Sequence, residues 1–213
     1  MVYIYAADAR NLKDPKKYPE RMKSLSAKDQ NEILSSRYSQ KRIQYLGLAL
    51  LLKEIFPRHK LPVTASLTDI HESPAFENLH ISFSFAKNII ICAISEKEVG
   101  CDIRKIEEAP HNLPTNYFSK LERNYLKSFQ SQYFNEEYWR LYTMKESYIQ
   151  MTGETFSRPA KDFEILIGEE IEVYRNDHTE TCLFEEYYIP GYLLSVCSKD
   201  SRFVPEITFI TLL

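Results

Sequence analysis

The sequence of 213 residues lacks the features that mark several large classes of protein. It has no long basic run and a formal net charge of −3, so nucleic acid is not an expected partner. Its longest apolar runs, at 45–52 and 89–94, are far shorter than the ~20 residues that cross a bilayer. Its first residues lack the basic segment and long apolar core of a signal peptide. We therefore expect a cytoplasmic protein without a membrane partner.

Cysteine is also scarce, and its placement argues against a metal or disulfide framework. The four cysteines are widely spread and form no CxxC pair. Cys92 and Cys197 lie inside apolar runs, where cysteine usually acts as a small hydrophobic residue. There is no low-complexity segment and no strong internal repeat. With 44% hydrophobic and 27% charged residues, the chain can bury enough apolar surface to fold.

The pattern of apolar residues predicts a mixture of helices and strands. Ser26 resembles a helix N-cap, and Gly47 interrupts a helical pattern at a cost of about 1 kcal/mol. We predict helices after Ser26 and at 38–56, 119–129 and 136–151. We predict strands at 2–7, 79–85, 88–95, 98–103, 163–167, 171–174, 182–189, 192–198 and 207–212. Because strands and helices do not alternate strictly, the predicted fold class is α+β.

Two acidic residues stand in unusual surroundings. Asp102 lies at the edge of an apolar strand, where it is either a turn-forming strand end or an ion ligand. Glu146 lies on an aromatic-rich helix and shares a face with Tyr142. A half-buried carboxylate must be paired or bound to a metal, because burying an isolated charge is costly. The simpler alternative for Glu146 is an ion pair with Arg140 or Lys145.

Three segments, in order, resemble the signature of the 4′-phosphopantetheinyl transferase superfamily. They are VGCDI at 99–103, FSKLE at 118–122 and YTMKESYI at 142–149. The family's pattern is roughly (I/V)G(I/V)D(I/V)E, then FSxxE, then WxxKE(S/A)xxK. Upstream, NLHISFS at 78–84 resembles the family's FNISHS strand. The likeness covers most of the chain and is closest to the larger, surfactin-synthetase-type branch.

The resemblance implies a function and an architecture. Enzymes of this family move 4′-phosphopantetheine from coenzyme A to a serine of an acyl or peptidyl carrier protein and release 3′,5′-ADP. Their fold has two similar α/β halves related by a pseudo-twofold axis, with coenzyme A between them. Here the halves would be residues 1–98 and 99–213. The resemblance further implies a monomer with coenzyme A and a carrier protein as partners.

The resemblance also assigns roles to individual residues. Asp102 and Glu146 would bind Mg²⁺, and their carboxylates should lie close enough to share one ion. Glu146, or a water beside it, would accept the serine proton, and Lys145 would lie beside the phosphates. The remaining candidates for coenzyme A binding are Arg37, Lys41, Arg42, Pro74, Ser82, Arg104 and Gln150.

This chain departs from the family pattern at positions that contact phosphate or metal. Phe83 replaces a histidine, Gln150 replaces the closing lysine, and the segment ending at Pro74 lacks the family's lysine. Each lost phosphate cation costs about 1.5–3 kcal/mol of charged hydrogen bonding. Arg104 replaces an acid, so it either repels a metal ion or contacts the pyrophosphate.

The sequence therefore leaves three hypotheses open. The leading one is a working, Mg²⁺-dependent transferase. The second is a catalytically weak or inactive relative that binds coenzyme A or a carrier protein. The third is an interaction protein with no nucleotide site.

Overall fold

Ten strands and four α-helices form the described part of the chain, which is residues 1–61, 78–154 and 162–212 of a computed structural model. The helices are α1 (Ala27–Ser35), α2 (Ser39–Ile55), α3 (Lys120–Lys127) and α4 (Ser131–Thr152). The strands are β1 (Tyr3–Asp8), β2 (His80–Ala86), β3 (Ile89–Ser95), β4 (Val99–Lys105), β5 (Glu164–Ile167), β6 (Ile171–Arg175), β7 (His178–Thr179), β8 (Leu183–Ile189), β9 (Tyr192–Ser198) and β10 (Thr208–Ile210). The fold is α+β, as predicted.

Local signals in the sequence begin and end the helices. The Ser26 side chain accepts a hydrogen bond from the backbone N–H of Asp29, which confirms the predicted N-cap of α1. A capping box between Ser119 and Glu122 begins α3. Gly153, with φ of +69°, ends α4 in the left-handed conformation that glycine adopts readily.

The strands form three sheets, two of which position the candidate site. The first has the order β10-β1-β3-β2, and the second has the order β4-β9-β8. The third, β5-β6-β7, is a small antiparallel sheet. Every residue of β3 is buried, as its continuous apolar run predicts for a strand that is covered on both faces.

Helices cover the outer faces of the two larger sheets, and the sheets share a core between them. α2 packs on the first sheet so closely that a Cβ atom at Gly47 would lie 2.3 Å from Ile90 Cδ1. α4 packs on β4 and β9 of the second sheet. The shared core is built from β1 and β3 on one side and β4, β8 and β9 on the other.

Two serines join the first sheet to the second. Ser82 Oγ accepts a hydrogen bond from the backbone N–H of Cys101 at 3.0 Å, and Ser84 Oγ accepts one from Ile103 N–H at 3.2 Å. From the first contact to the second, the residue number rises by two on β2 and also by two on β4, so the two strands run in the same direction here. We call this contact the serine seam. It brings the strand with the ISFS segment beside the strand that carries Asp102.

The predicted halves meet at a short connection, but the chain does not divide cleanly there. Residues 96–98 join β3 of the first sheet to β4 of the second. β10 then returns to the first sheet and pairs in parallel with β1. The division at residues 98 and 99 and the pseudo-twofold relation stay predictions. No helix in the described residues has the length and apolar character needed to cross a membrane.

Candidate active site

A close approach of β4 to α4 creates the candidate site. A Cβ atom at Gly100 would lie 2.0 Å from the carbonyl oxygen of Ser147 and 2.4 Å from the backbone nitrogen of Met151. Only glycine allows a strand and a helix to approach so closely. Since alternate residues of a strand face the same side, Asp102 follows Gly100 on the face directed at α4.

Asp102 is buried and hydrogen-bonded on both carboxylate oxygens. Its Oδ1 accepts from Ser84 Oγ at 2.8 Å and from Arg104 Nη2 at 3.3 Å, and its Oδ2 accepts from Arg104 Nε at 2.8 Å. The Asp102 side chain is 2% exposed and that of Arg104 is 36% exposed. Asp102 and Arg104 thus lie on the same side of β4 and contact each other.

Glu146 belongs to the same cluster through two tyrosines. Tyr117 Oη donates a hydrogen bond to Glu146 Oε1 at 2.6 Å. The Tyr117 ring stacks on Tyr142, with centroids 4.8 Å apart, and the Arg104 guanidinium lies 4.9 Å from the centroid of Tyr142. β4 and α4 thus bring Asp102 and Glu146 into one polar cluster despite their separation in sequence.

Burial and neighbouring charge set the protonation of this cluster. Burial raises the pKa of Asp102 to about 6, although Arg104 and the Ser84 hydroxyl act to lower it. The charge of Glu146 raises the Asp102 pKa further. Burial, and then the charge of Glu146, raises the pKa of Tyr117 well above its usual value. Tyr117 therefore stays protonated and donates to Glu146 at neutral pH.

The alternative prediction, that Glu146 forms an ion pair with Arg140 or Lys145, is wrong. Arg140 forms a two-pronged contact with Glu186, at 2.8 and 2.7 Å. Lys145 Nζ donates to Glu122 Oε1 at 2.7 Å and to the carbonyl oxygen of Phe163 at 3.0 Å. Neither cation pairs with Glu146, whose hydrogen-bond donor is Tyr117 instead.

The structure also differs from the prediction for Lys145. Its side chain is fully buried in the core beneath α4, where it is paired with Glu122. Consecutive helical residues point about 100° apart, so Lys145 faces the core while Glu146 faces Tyr117. Lys145 therefore does not lie beside a phosphate site in this structure.

The predicted basic residues before and within α2 divide into two groups. Arg42 is buried, and its guanidinium is paired with both carboxylate oxygens of Asp14 and donates to the carbonyl oxygen of Ser36. It is occupied within the fold, contrary to its predicted role as a phosphate ligand. Arg37 and Lys41 are exposed at the start of α2. Pro74 lies outside the described residues.

Ser82 and Gln150 are brought together across the serine seam. Ser82 Oγ donates to Gln150 Oε1 at 2.6 Å while accepting from Cys101 N–H. These two coenzyme A candidates come from β2 and from α4, which belong to different sheet layers. The contact places the end of α4 against the ISFS segment.

Comparisons with known proteins agree with this arrangement. The sequence profile of the 4′-phosphopantetheinyl transferase superfamily matches residues 98–197, which include Asp102, Glu146 and both elements that carry them. Over this range, which is just under half of the chain, the protein is similar to that superfamily.

Three 4′-phosphopantetheinyl transferases are among the proteins similar to this chain. Those named ffp from Bacillus subtilis and Sfp from Bacillus subtilis strain 168 are 29% and 26% identical over 141 residues, covering 65% of this chain and 63% of each relative. The gsp transferase of Aneurinibacillus migulanus is 29% identical over 126 residues, covering 58% of this chain and 53% of the relative. The match thus spans less than two thirds of the relatives' length. These relatives support the branch that the motifs indicate.

Sequence reasoning gave no structural role to three residues that hold the candidate side chains. Ser84 bonds Asp102, and Tyr117 bonds Glu146, while Glu122 holds Lys145 in the core. Ser84 shares its strand face with Ser82, which is a signal that the alternation of β2 already contained. Tyr117 precedes the FSKLE segment, and no pattern in the sequence separates it from the other tyrosines of the chain.

The donor set fits a hard divalent cation in ligand type, with one conflict. Asp102 and Glu146 supply carboxylate oxygens, which Mg²⁺ prefers. Within residues 1–61, 78–154 and 162–212, no group of three or more His, Cys, Asp or Glu side chains could hold an ion. Two carboxylates would thus share the ion with water or substrate oxygens. The conflict is that Arg104 already contacts Asp102.

Proposed function

We propose that this chain transfers 4′-phosphopantetheine from coenzyme A to a serine of an acyl or peptidyl carrier protein. The observation that supports it most is the convergence of Asp102 and Glu146 through β4 and α4. The two acids come from separate sequence motifs, yet they lie in one polar cluster where β4 meets α4. The relatives, which are all named 4′-phosphopantetheinyl transferases, support the same activity.

The proposed reaction gives each residue of the cluster a task. The serine oxygen of the carrier protein attacks the β-phosphorus of coenzyme A, and the bond from that phosphorus to 3′,5′-ADP breaks. Glu146, held by Tyr117, accepts the proton of the serine hydroxyl directly or through a water. Arg104, whose guanidinium lies beside Asp102 and is partly exposed, can contact a phosphate oxygen.

The exposed cations of α2 are proposed to bind the nucleotide end of coenzyme A. Gln40 and Gln44 both donate to the carbonyl oxygen of Lys87, so the first turns of α2 lie over the turn between β2 and β3. This turn lies at the end of β2 that follows Ser84. Arg37 and Lys41 are therefore candidates for the 3′-phosphate. Ser82 and Gln150 remain candidates for polar contacts with coenzyme A.

Mg²⁺ is part of the proposal, with Asp102 and Glu146 as its protein ligands. When bound, the ion would neutralise pyrophosphate oxygens and the departing 3′,5′-ADP. Ser84 orients Asp102 for that role, and Tyr117 orients Glu146. Lys145 is proposed to act only as a positioning residue, by anchoring α4 to Glu122.

We further propose a monomer that acts in the cytoplasm. All residues of the proposed site come from one chain, which supports activity without a second copy. The cytoplasmic location follows from the proposed co-substrate and not from a feature of the fold.

The direct test is mass spectrometry of a panel of apo carrier proteins incubated with this protein, coenzyme A and Mg²⁺. The expected result is a mass gain of one phosphopantetheine on at least one carrier. Asp102→Ala and Glu146→Ala should each lower the transfer rate by about 100-fold or more. Glu186→Ala removes a carboxylate that pairs with Arg140 outside the cluster, and it should leave the rate close to that of the unaltered protein.

Two results would overturn the proposal. Transfer that survives Glu146→Ala would remove the assigned mechanism. No transfer across the panel, together with measurable coenzyme A binding, would instead identify a non-catalytic relative.

A further inference from the structure

Arg104 occupies the side of Asp102 that a divalent cation would need. A carboxylate oxygen has two acceptor positions. Asp102 Oδ1 accepts from Ser84 and from Arg104 Nη2, so both of its positions are filled. Oδ2 accepts from Arg104 Nε, which leaves one position. A cation that binds Asp102 through both oxygens must therefore displace a guanidinium N–H.

An aromatic ring also holds the Arg104 guanidinium beside Asp102. The guanidinium lies over the Tyr142 ring, and that ring is stacked on Tyr117. Asp102 is almost fully buried, whereas Arg104 is about one-third exposed. Arg104 is therefore the solvent-facing member of this ion pair.

The charge of the cluster also bears on the affinity for a cation. Asp102 and Glu146 carry two negative charges when ionised, and Arg104 offsets one of them. The charge of arginine is permanent at accessible pH, so only a bound ligand or a mutation can remove the offset. Fewer net negative charges mean weaker binding of a hard cation.

We propose that Arg104 is an internal competitor for divalent cations at Asp102. It neutralises the buried carboxylate when no ion is bound, and an ion that takes both oxygens of Asp102 binds only as the guanidinium leaves that carboxylate. This inference deepens the proposed function and takes from it the position of the ion. It needs neither coenzyme A nor a carrier protein for its test.

The test is titration of the protein with Mn²⁺ alone, followed by the electron paramagnetic resonance signal of free Mn²⁺ and by calorimetry. Arg104→Gln should bind Mn²⁺ at least about tenfold more tightly than the unaltered protein, which is ~1.4 kcal/mol. Arg140→Gln removes an equal charge from another carboxylate pair and should leave Mn²⁺ affinity unchanged. The melting temperature of each variant checks that it is folded.

A second substitution locates the ion. Asp102→Asn in the Arg104→Gln background should return Mn²⁺ affinity to that of the unaltered protein or below. If Arg104→Gln does not fold, Arg104→Lys decides, because it keeps the charge but loses the forked contact; an affinity gain of about threefold is then expected.

Two outcomes overturn the inference. One is a folded Arg104→Gln variant, or Arg104→Lys in its place, whose Mn²⁺ affinity is unchanged or weaker. The other is tighter binding that Asp102→Asn does not affect. Failure here is distinct from failure of the proposed function: Mn²⁺ competition without transfer to any carrier refutes only the function, and transfer without competition refutes only this inference.

Discussion

At the scale of single residues, neighbouring side chains of one motif have opposite surroundings. Lys145 is buried in the core against Glu122, while Glu146 faces Tyr117. The motif identified both residues as important but could not give Lys145 its direction. That direction depends on Glu122, which belongs to a different helix. Arg42 was misassigned for the same reason, because its partner Asp14 lies in a polar loop with no pattern.

The buried pair of Glu122 and Lys145 should be costly to break on one side only. Glu122→Gln or Lys145→Met should each lower the free energy of unfolding by about 3–5 kcal/mol, because each leaves one charge buried without its partner. The double variant should lose clearly less than the sum of the two losses. Urea unfolding of all four proteins measures this coupling.

A more exposed ion pair provides the comparison. Arg140→Gln breaks the contact with Glu186, and it should cost no more than about 1 kcal/mol because water screens both partners. Losses from Glu122→Gln and Lys145→Met as small as this would mean that the core pair is hydrated in solution.

At the scale of elements, most helices and strands followed from the sequence. Period-2 alternation, continuous apolar runs and N-cap signals found α2, α3 and nine of the ten described strands, with shifts of one or two residues at their ends. α4 begins five residues before its predicted start, at Ser131. The close packing of elements was not predictable. Gly100 looks like any glycine in a strand, and only its distance to Ser147 shows its role.

Gly100 should tolerate no side chain. Gly100→Ala would place a Cβ atom against the backbone of α4, which has no flexible side chain to yield there. We expect it to lower the free energy of unfolding by about 3 kcal/mol or more. The expected fall in melting temperature, about 6 °C or more, is measurable by circular dichroism.

Gly153 is the matched control for this substitution. It ends α4 with a positive φ, but a Cβ atom there would meet nothing within 4 Å. Gly153→Ala should therefore cost only about 1 kcal/mol, from backbone strain. If the two variants melt at the same temperature, close packing is not the reason for glycine at position 100.

At the scale of the whole molecule, the two sheet layers are joined by contacts that cannot be predicted from any single segment of the sequence. The serine seam links β2 to β4, and β10 returns from the end of the described chain to pair with β1. The sequence predicted β10 as a strand but gave no partner for it. Strands that are distant in sequence pair because their side chains pack in the shared core. The apolar side chains of that core are similar in every strand, so they do not reveal which strands pair.

The stability of the whole molecule should depend on pH through His59. His59 follows α2, and its Nε2 lies 2.8 Å from Tyr5 Oη on β1. Burial, aided by the charge of Arg58, lowers the pKa of His59 in the folded protein. The unfolded chain, with a histidine pKa of about 6.5, then binds the proton more strongly. The free energy of unfolding should therefore fall as pH drops below about 6.5 and through the folded-state pKa.

His59→Gln removes this titration and keeps a polar partner for Tyr5. Urea unfolding at several values between pH 5 and pH 8 should show a shallower pH dependence for His59→Gln than for the unaltered protein. Equal slopes for the unaltered protein and His59→Gln would contradict the assignment.

The segment after β9 should stabilise both layers at once. Val2 and Phe203 form a bridge, β10 pairs with β1, and the Tyr187 hydroxyl of β8 donates to the carbonyl oxygen of Val204 at 2.6 Å. A chain ended after Arg202 loses these contacts and leaves the edge of β1 unpaired. Because the layers share a core, we expect one cooperative calorimetric transition at a temperature lower by about 5 °C or more.

Phe209→Ser separates this effect from the loss of an apolar side chain. Phe209 lies on β10 but is 59% exposed, so the substitution should change the melting temperature little. Two separate transitions in the shortened chain would show that the layers fold independently once β10 is gone. A single transition at an unchanged temperature would show that the serine seam and the shared core suffice to hold the layers together, with β10 contributing nothing to stability.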